Sequence, residues 1–188
     1  MSAPHVRGGA TLPPPRAPRP PAAGPALRET MARFATGITV LTTGGEQVHG
    51  MTANAFSSVS LDPPLVLCCV ARTATMHRAI TVTGSFAVSV LGAEQEQLAR
   101  YFADRDRPRG AEQFDRVDWQ PGPLTGAPLL GGALARLECR LAEVYEGGDH
   151  SIFLGEVLAT EWAAGDGALL FYRGGYHRVG CEPADRTA

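Results

Sequence analysis

Residues 50–70 read GMTANAFSSVSLDPPLVLCCV, and the fold turns on how that stretch is taken. Its period is that of a strand, yet Thr52, Asn54, Ser57, Ser58 and Ser60 stand where a surface strand would carry Lys, Glu or Arg. Pro63-Pro64 then ends the ladder, since proline offers no N–H, and 65–71, whose run 65–70 holds no polar residue, reads as a second strand. On the first strand Thr52 and Asn54 share one face, and Met51, Ala53 and Ala55 the other. Each polar residue taken alone could face water. Together, small hydroxyls and an amide beside alanines leave room for a flat ligand and supply donors to its heteroatoms. Ser57, Ser58 and Ser60 are expected where the chain turns at a barrel rim.

Outward from this pair, residues 27–35 carry Leu27, Met31, Phe34 and Ala35 at helical spacing, with Gly37 suited to the position past a helix end. Residues 38–43 and 48–56 read as strands around a Gly44-Gly45 turn, and 86–91 as another. Residues 75–80 and 94–103 read as helices, and 104–131 as a long Gly/Pro/Asp-rich loop with one short helix near Phe114. Residues 134–145 fit either period, but the "EGGDH" turn and the plain strand 151–161 after it favour a long β-hairpin. A last strand, 169–172, runs into "YRGGYHRV". About seven strands and three helices, strand mostly following strand, predict a largely antiparallel barrel with helical plugs. The absence of G-x-G-x-x-G after a strand argues against a dinucleotide-binding βαβ domain.

Composition narrows the chemistry. The 188 residues suit one domain of 26–180, with a disordered Pro/Arg-rich extension, 1–25, and a short tail, 181–188. Net charge is −2, so no nucleic-acid or anionic-membrane footprint is expected, and no apolar run nears the roughly 18 residues of a membrane span. All 17 basic residues are arginine. Without lysine there is no P-loop and no Schiff base, and bound phosphate must be held by Arg, hydroxyls and N–H groups. Cys68, Cys69, Cys139 and Cys181 form no C-x-x-C pair, and no signal peptide precedes them; they are expected to be reduced, buried thiols of a cytoplasmic protein. The five histidines show no metal-ligand spacing, so no metal is expected.

The segment "ARTATMHRA" completes an anion site on paper. A strand ends at Arg72, Thr73 is placed to cap the helix that follows, and a helix N-terminus with hydroxyls attracts phosphate. A plain capped helix with a surface Arg is the bland alternative. His150, in a Gly-Gly-Asp-His turn, reads on its own as an exposed residue. Tyr172 and Tyr176 could stack on rings or merely line a rim.

In order, "RFATGITVLTT", "GMTANAFSSVSLDPPLVLCCVARTA", "FAVSVL", "YFA", "GGDHSIFLGEV" and "YRGGYH" resemble the short-chain flavin reductases of two-component monooxygenases. The resemblance spans residues 27–179. It implies a split β-barrel, usually a homodimer, that reduces FMN or FAD with NADH or NADPH and releases the product to a separate flavin-dependent monooxygenase. It also implies that Thr52, Ala53 and Asn54 run along the flavin. Ser57, Ser58, Arg72, Thr73, Ala74 and Thr75 would surround its phosphate, and Phe102 would match an aromatic at the flavin site. His150, the implied catalytic residue, would orient the nicotinamide or help settle charge at the reduced ring, and Arg173 and Gly174 would lie near the nicotinamide. Two other readings share this barrel: an enzyme with tightly bound FMN and its own substrate, and a non-catalytic flavin or haem binder. The pyridoxamine-phosphate-oxidase relatives fit the ordered blocks less well.

Overall fold

A computed structural model describes residues 24–164 and 167–180. Helix α1 (Gly24–Met31) leads into β1 (Thr36–Gly37), β2 (Thr39–Thr43), β3 (His49–Ala53), β4 (Phe56–Leu61) and β5 (Pro64–Ala71). Then come α2 (Thr75–Thr83), β6 (Ser85–Val90), α3 (Glu96–Ala103), and the short pair β7 (Trp119–Pro121) and β8 (Pro128–Leu130). The chain continues through β9 (Ala135–Gly147), β10 (His150–Trp162), β11 (Gly167–Tyr172) and β12 (Gly175–Gly180).

Seven of these strands form one antiparallel sheet in the order β3-β2-β6-β9-β10-β5-β4. Its two end strands, β3 and β4, are consecutive in the chain and separated only by Asn54 and Ala55. A sheet whose first and last strands are joined by two residues must curl round on itself, so the order alone makes a barrel. The corner is stitched where the Cys69 N–H donates to the Ala55 carbonyl at 2.9 Å. Strands β1, β11 and β12 make a separate small sheet. The β11–β12 turn places Arg173 and Gly174 both at positive φ (50° and 80°), the conformation a two-residue hairpin demands, and glycine supplies one of them without strain.

The β9–β10 hairpin is the spine, and its partners explain the burial pattern. β10 lies between β9 and β5, pairing Phe153 with Val144 on one side and Cys68 on the other. A register shift falls at Leu154/Gly155. There Gly155 admits the Phe86 ring, which a Cβ would meet at 2.5 Å. Strand β2 is buried throughout because both its faces are covered. Leu41 joins Phe86, Val88, Phe153 and Cys68 inside the barrel, plugged by Met76 and Ile80 of α2. Ile38 and Val40 face the other way, beneath Ala99 and Phe102 of α3, with Phe114 and Leu169. Each such fully buried large side chain contributes about 1.5–3 kcal/mol. Helix α2 ends where Gly84 turns left-handed (φ 64°) and donates to Ile80 O at 2.9 Å, the expected glycine stop.

The structure corrects several expectations. The first helix stops at Met31, leaving Phe34 exposed and Gly37 in a strand, because that helix buries nothing that would carry it further. The expected strand 48–56 breaks at Asn54–Ala55, and Ser57, Ser58 and Ser60 continue as β4 instead of turning at a rim; sheet closure, not the prolines, sets the bend. Thr73 does not cap α2: Ala74 holds that position, with no side-chain cap bond. The loop 104–131 contains the β7–β8 pair, and "GYHRV" forms β12, so the strands number twelve among the described residues. The expectations for 1–23, 181–188 and Cys181 fall outside the described residues.

Candidate functional site

The closing corner of the barrel opens into a cavity of about 510 Å³. β3 and the corner supply Thr52, Ala53, Asn54 and Ala55, and the end of β5 supplies Cys69 and Ala71. Thr73, Ala74 and Thr75 bring the N-terminus of α2 to the wall. No side chain caps that end; His77 N donates to Ala74 O at 3.1 Å, which leaves the Thr75 and Met76 N–H groups as donors for an anion. His150 enters from the first position of β10, fixed by pairing with both Ala71 and Gly147.

The corner residues are partly spent on structure. The Thr52 hydroxyl donates to Ala99 O at 2.7 Å, tying β3 to α3, and Asn54 Nδ2 donates to Thr36 Oγ1 at 3.2 Å. Phe102 is fully buried, its ring against Tyr101 and Phe114, and it stands in the cavity wall. That packing requires Gly50, whose Cβ would stand 2.4 Å from Phe102 Cε1.

The far wall was not read from the sequence. Arg105, Arg107 and Arg109 line it, with His49. Arg107 is built in: it donates to the Gly50 and Asp104 carbonyls, to Gln113 Oε1 at 3.3 Å, and lies 3.4 Å from His49 Nε2. Burial, helped by the Arg107 and Arg109 charges, lowers the His49 pKa to about 4, so the ring is neutral at neutral pH and can accept from Arg107. "DRDRPR" alternates charge as a solvated loop does; the signal that could have found it is three arginines within five residues of a lysine-free chain, just after Phe102. The lining holds three arginines, two histidines and no carboxylate, a field suited to an anionic ligand.

Of the residues expected at the site, Thr52, Ala53, Asn54, Thr73, Ala74, Thr75, Phe102 and His150 meet in this cavity. Ser57, Ser58, Arg72, Arg173 and Gly174 are not in its lining. Ser57 and Ser58 sit past the corner on β4, exposed, with the Ser57 hydroxyl donating to Ser58 O. Arg72 turns to the surface, 3.9 Å from Glu146 of β9. Arg173 and Gly174 form the β11–β12 turn, where the Arg173 N–H donates to Ala32 O at 2.8 Å. Tyr176 packs on Phe171 and under the Arg100 guanidinium, and Tyr172 pairs with His177.

His150 Nδ1 lies 2.8 Å from Asp149 Oδ1, and this hydrogen bond, with the charge of the ring, holds the Asp149 carboxyl below its usual range. The aspartate thereby selects the ring tautomer and leaves Nε2 as the free nitrogen. Cys69 was expected in the core but is half-exposed on the cavity wall. Desolvation raises its thiol pKa, and those of Cys68 and Cys139 are pushed up to about 12. All three thiols are unpaired and stay protonated at neutral pH, so thiolate chemistry has no place here.

A barrel closed through a small-residue corner, with a helix N-terminus and an arginine wall facing one cavity, defines a split-barrel protein built for a phosphorylated, flat ligand. The chain belongs to the flavin reductase like domain family, whose profile matches residues 31–180. It is 56% identical over 153 residues to an NADH-dependent FAD reductase of Streptomyces globisporus, across 81% of this chain and 84% of that protein. Its fold matches the crystal structure of BorF, the flavin reductase component of a bacterial two-component tryptophan halogenase. That match has a TM-score of 0.81 and 49% identity and covers 84% of this chain and all but 1% of the other (99%). A Streptomyces globisporus NADH:FAD oxidoreductase solved with NAD and FAD fragments matches with TM-score 0.80 and 48% identity, over 86% and 96% of the two chains.

Proposed function

We propose that this protein is an NADH:flavin oxidoreductase that reduces FAD or FMN and releases the reduced flavin to a separate flavin-dependent monooxygenase or halogenase. One observation carries the reading: in a chain of this family, the barrel corner, an uncapped helix N-terminus and a carboxylate-free cationic wall converge on one cavity. FAD and NADH are favoured over FMN and NADPH by the named activity of the Streptomyces globisporus relative.

The residues fit the cofactors by their chemistry. Hydroxyls of Thr73 and Thr75 and the first-turn N–H groups of α2 would hold a flavin phosphate; Ala53, Asn54 and Ala55 leave a flat slot for the ring. Hydride transfer from nicotinamide to flavin is the chemistry the cofactors supply, and it asks the protein for positioning more than for acid or base. His150, oriented by Asp149 at the mouth of the slot, would position the nicotinamide. Three unpaired thiols suit the reducing cytoplasm, and no helix among the described residues is long and apolar enough to cross a membrane.

The expected result is loss of reduced-nicotinamide absorbance that depends on added FAD or FMN and is faster with NADH than with NADPH. No flavin-dependent rate with either nucleotide would sink the proposal. Purification of a yellow protein that ignores added flavin would favour a tightly bound flavin instead.

A homodimer is proposed on the exposed apolar surface. Edge strand β4 shows Val59 and Leu61 (91% exposed), and Leu27, Met31 and Phe34 lie bare at the N-terminal end. Monomeric proteins rarely leave an edge strand and such residues uncovered. Sedimentation equilibrium at micromolar concentration should return twice the chain mass; a monomer at every concentration tested would refute it.

A further inference from the structure

Two sets of phosphate-binding groups face the cavity, from different elements. The N-terminus of α2, with Thr73 and Thr75, makes one. The loop after α3 makes the other, and its construction sets it apart from a solvated charge run. Arg107 is its anchor, donating inward to Gly50 O and Gln113 Oε1. Gln113, fully buried, accepts in turn from Gly50 N at 3.1 Å and donates to Gly110 O at 2.9 Å. Pro108 stiffens the loop, and the Asp104 carboxylate is occupied accepting from Asp106 N at 2.9 Å. What this frame carries is Arg105 and Arg109, one on each side of the anchor. Both are exposed, both line the cavity, and neither makes a hydrogen bond or ion pair among the described residues. Arg72, Arg100, Arg136, Arg140 and Arg178 each have an acidic partner, and Arg28, Arg33, Arg78, Arg116 and Arg173, which have none among the described residues, do not line the cavity; Arg105 and Arg109 are both unpaired and in its wall.

A mononucleotide has one phosphate, which the α2 terminus can take alone. A second set of unpaired guanidinium groups, carried on an anchored loop at the same cavity, calls for a second phosphate. We infer that Arg105 and Arg109 clamp the pyrophosphate of a dinucleotide, with Arg107 as the positioning residue that holds the loop. The inference rests on the oxidoreductase reading above and adds to it the residues that tell a dinucleotide from a mononucleotide. Pyrophosphate occurs in both FAD and NADH, and one experiment separates the two sources.

The double variant Arg105→Gln/Arg109→Gln, as the full chain, is titrated with ADP, which carries the pyrophosphate and neither redox ring. ADP affinity should fall about 10- to 100-fold, the range for losing charge-assisted hydrogen bonds, while riboflavin affinity stays within about twofold. Arg105→Lys/Arg109→Lys should recover part of the loss, since it keeps charge but not the fork. In turnover, a raised KM for FAD with that for FMN unchanged assigns the clamp to the flavin. A raised KM for NADH with that for reduced nicotinamide mononucleotide unchanged assigns it to the nicotinamide. Equal ADP affinity in variant and wild type overturns the inference, as does equal weakening of riboflavin and ADP. Should the wild type show no flavin-dependent NADH oxidation, the oxidoreductase reading fails by itself, and the ADP titration still judges the arginines.

Discussion

Phe102→Ala is expected to destabilise the protein by about 3–5 kcal/mol even with no ligand present, the usual cost of truncating a buried aromatic. Phe102 is fully buried, with ring centroids of Tyr101 at 5.1 Å and Phe114 at 5.5 Å, and the Arg107 guanidinium 5.9 Å above it. The void has little means of closing. Its other wall is Gly50, which has no side chain to move in and whose strand is held by β2. At roughly 2–4 °C per kcal/mol for a chain of this size, the melting temperature should drop by roughly 6–20 °C. Phe102→Leu should keep more than half of the lost stability by filling most of the volume. The resemblance to flavin reductases implies only that this aromatic serves the flavin. If that were its whole role, ligand-free Phe102→Ala would melt with the wild type, and that result would refute the packing argument. Phe102 seals the core under α3, lines the cavity and lies beneath the Arg107 guanidinium, so flavin and ADP affinity are expected to fall alongside stability.

What the sequence made legible was local. The hydroxyl-rich strand, the apolar run 65–70, the 135–162 hairpin and the hydrophobic spacing of α3 all follow from period and turn chemistry, and together they imply an antiparallel barrel. The corner at Asn54–Ala55 was not legible, because nothing there breaks a strand; it bends because β3 and β4 are the two ends of a closing sheet. Ser57 and Ser58 were therefore expected at a rim and stand on an edge strand. Arg72 shows the same limit for charge. Sequence places it beside a helix N-terminus, but its guanidinium stands at the surface, 3.9 Å from Glu146 of β9, seventy-odd residues on. The arginine wall was hidden for the opposite reason: its Asp and Arg alternate as in a solvated loop. The buried Gln113 and the Gly50 carbonyl that anchor Arg107 come from other segments. β12 was missed because Gly175, His177 and Arg178 give it no apolar period; its pairing with β11 is the reason it forms.

His150→Ala is expected to slow reduction of bound flavin by NADH by one to two decades, about 1.4–2.8 kcal/mol of barrier, while flavin affinity changes by less than about twofold. The backbone of His150 is pinned between Ala71 and Gly147, and its ring by the 2.8 Å hydrogen bond to Asp149. Asp149 is ionised at neutral pH, as an aspartate is, and its hydrogen bond to the ring pulls its pKa lower still. Hydride transfer asks for no acid–base step, so the role expected of a group so held in the cavity wall is to fix where the nicotinamide lies. Two consequences follow. His150→Asn, which returns an amide donor to Asp149 on a shorter stem, should recover part of the rate. Asp149→Asn, which keeps a hydrogen bond but loses the charge that selects the tautomer, should lose less than His150→Ala and in the same step. Stopped-flow reduction by NADH, beside an equilibrium flavin titration, reads both. An equal loss of flavin affinity in His150→Ala would move the residue to the flavin side of the cavity. Wild-type reduction rates in both His150 variants would make it an exposed turn residue after all.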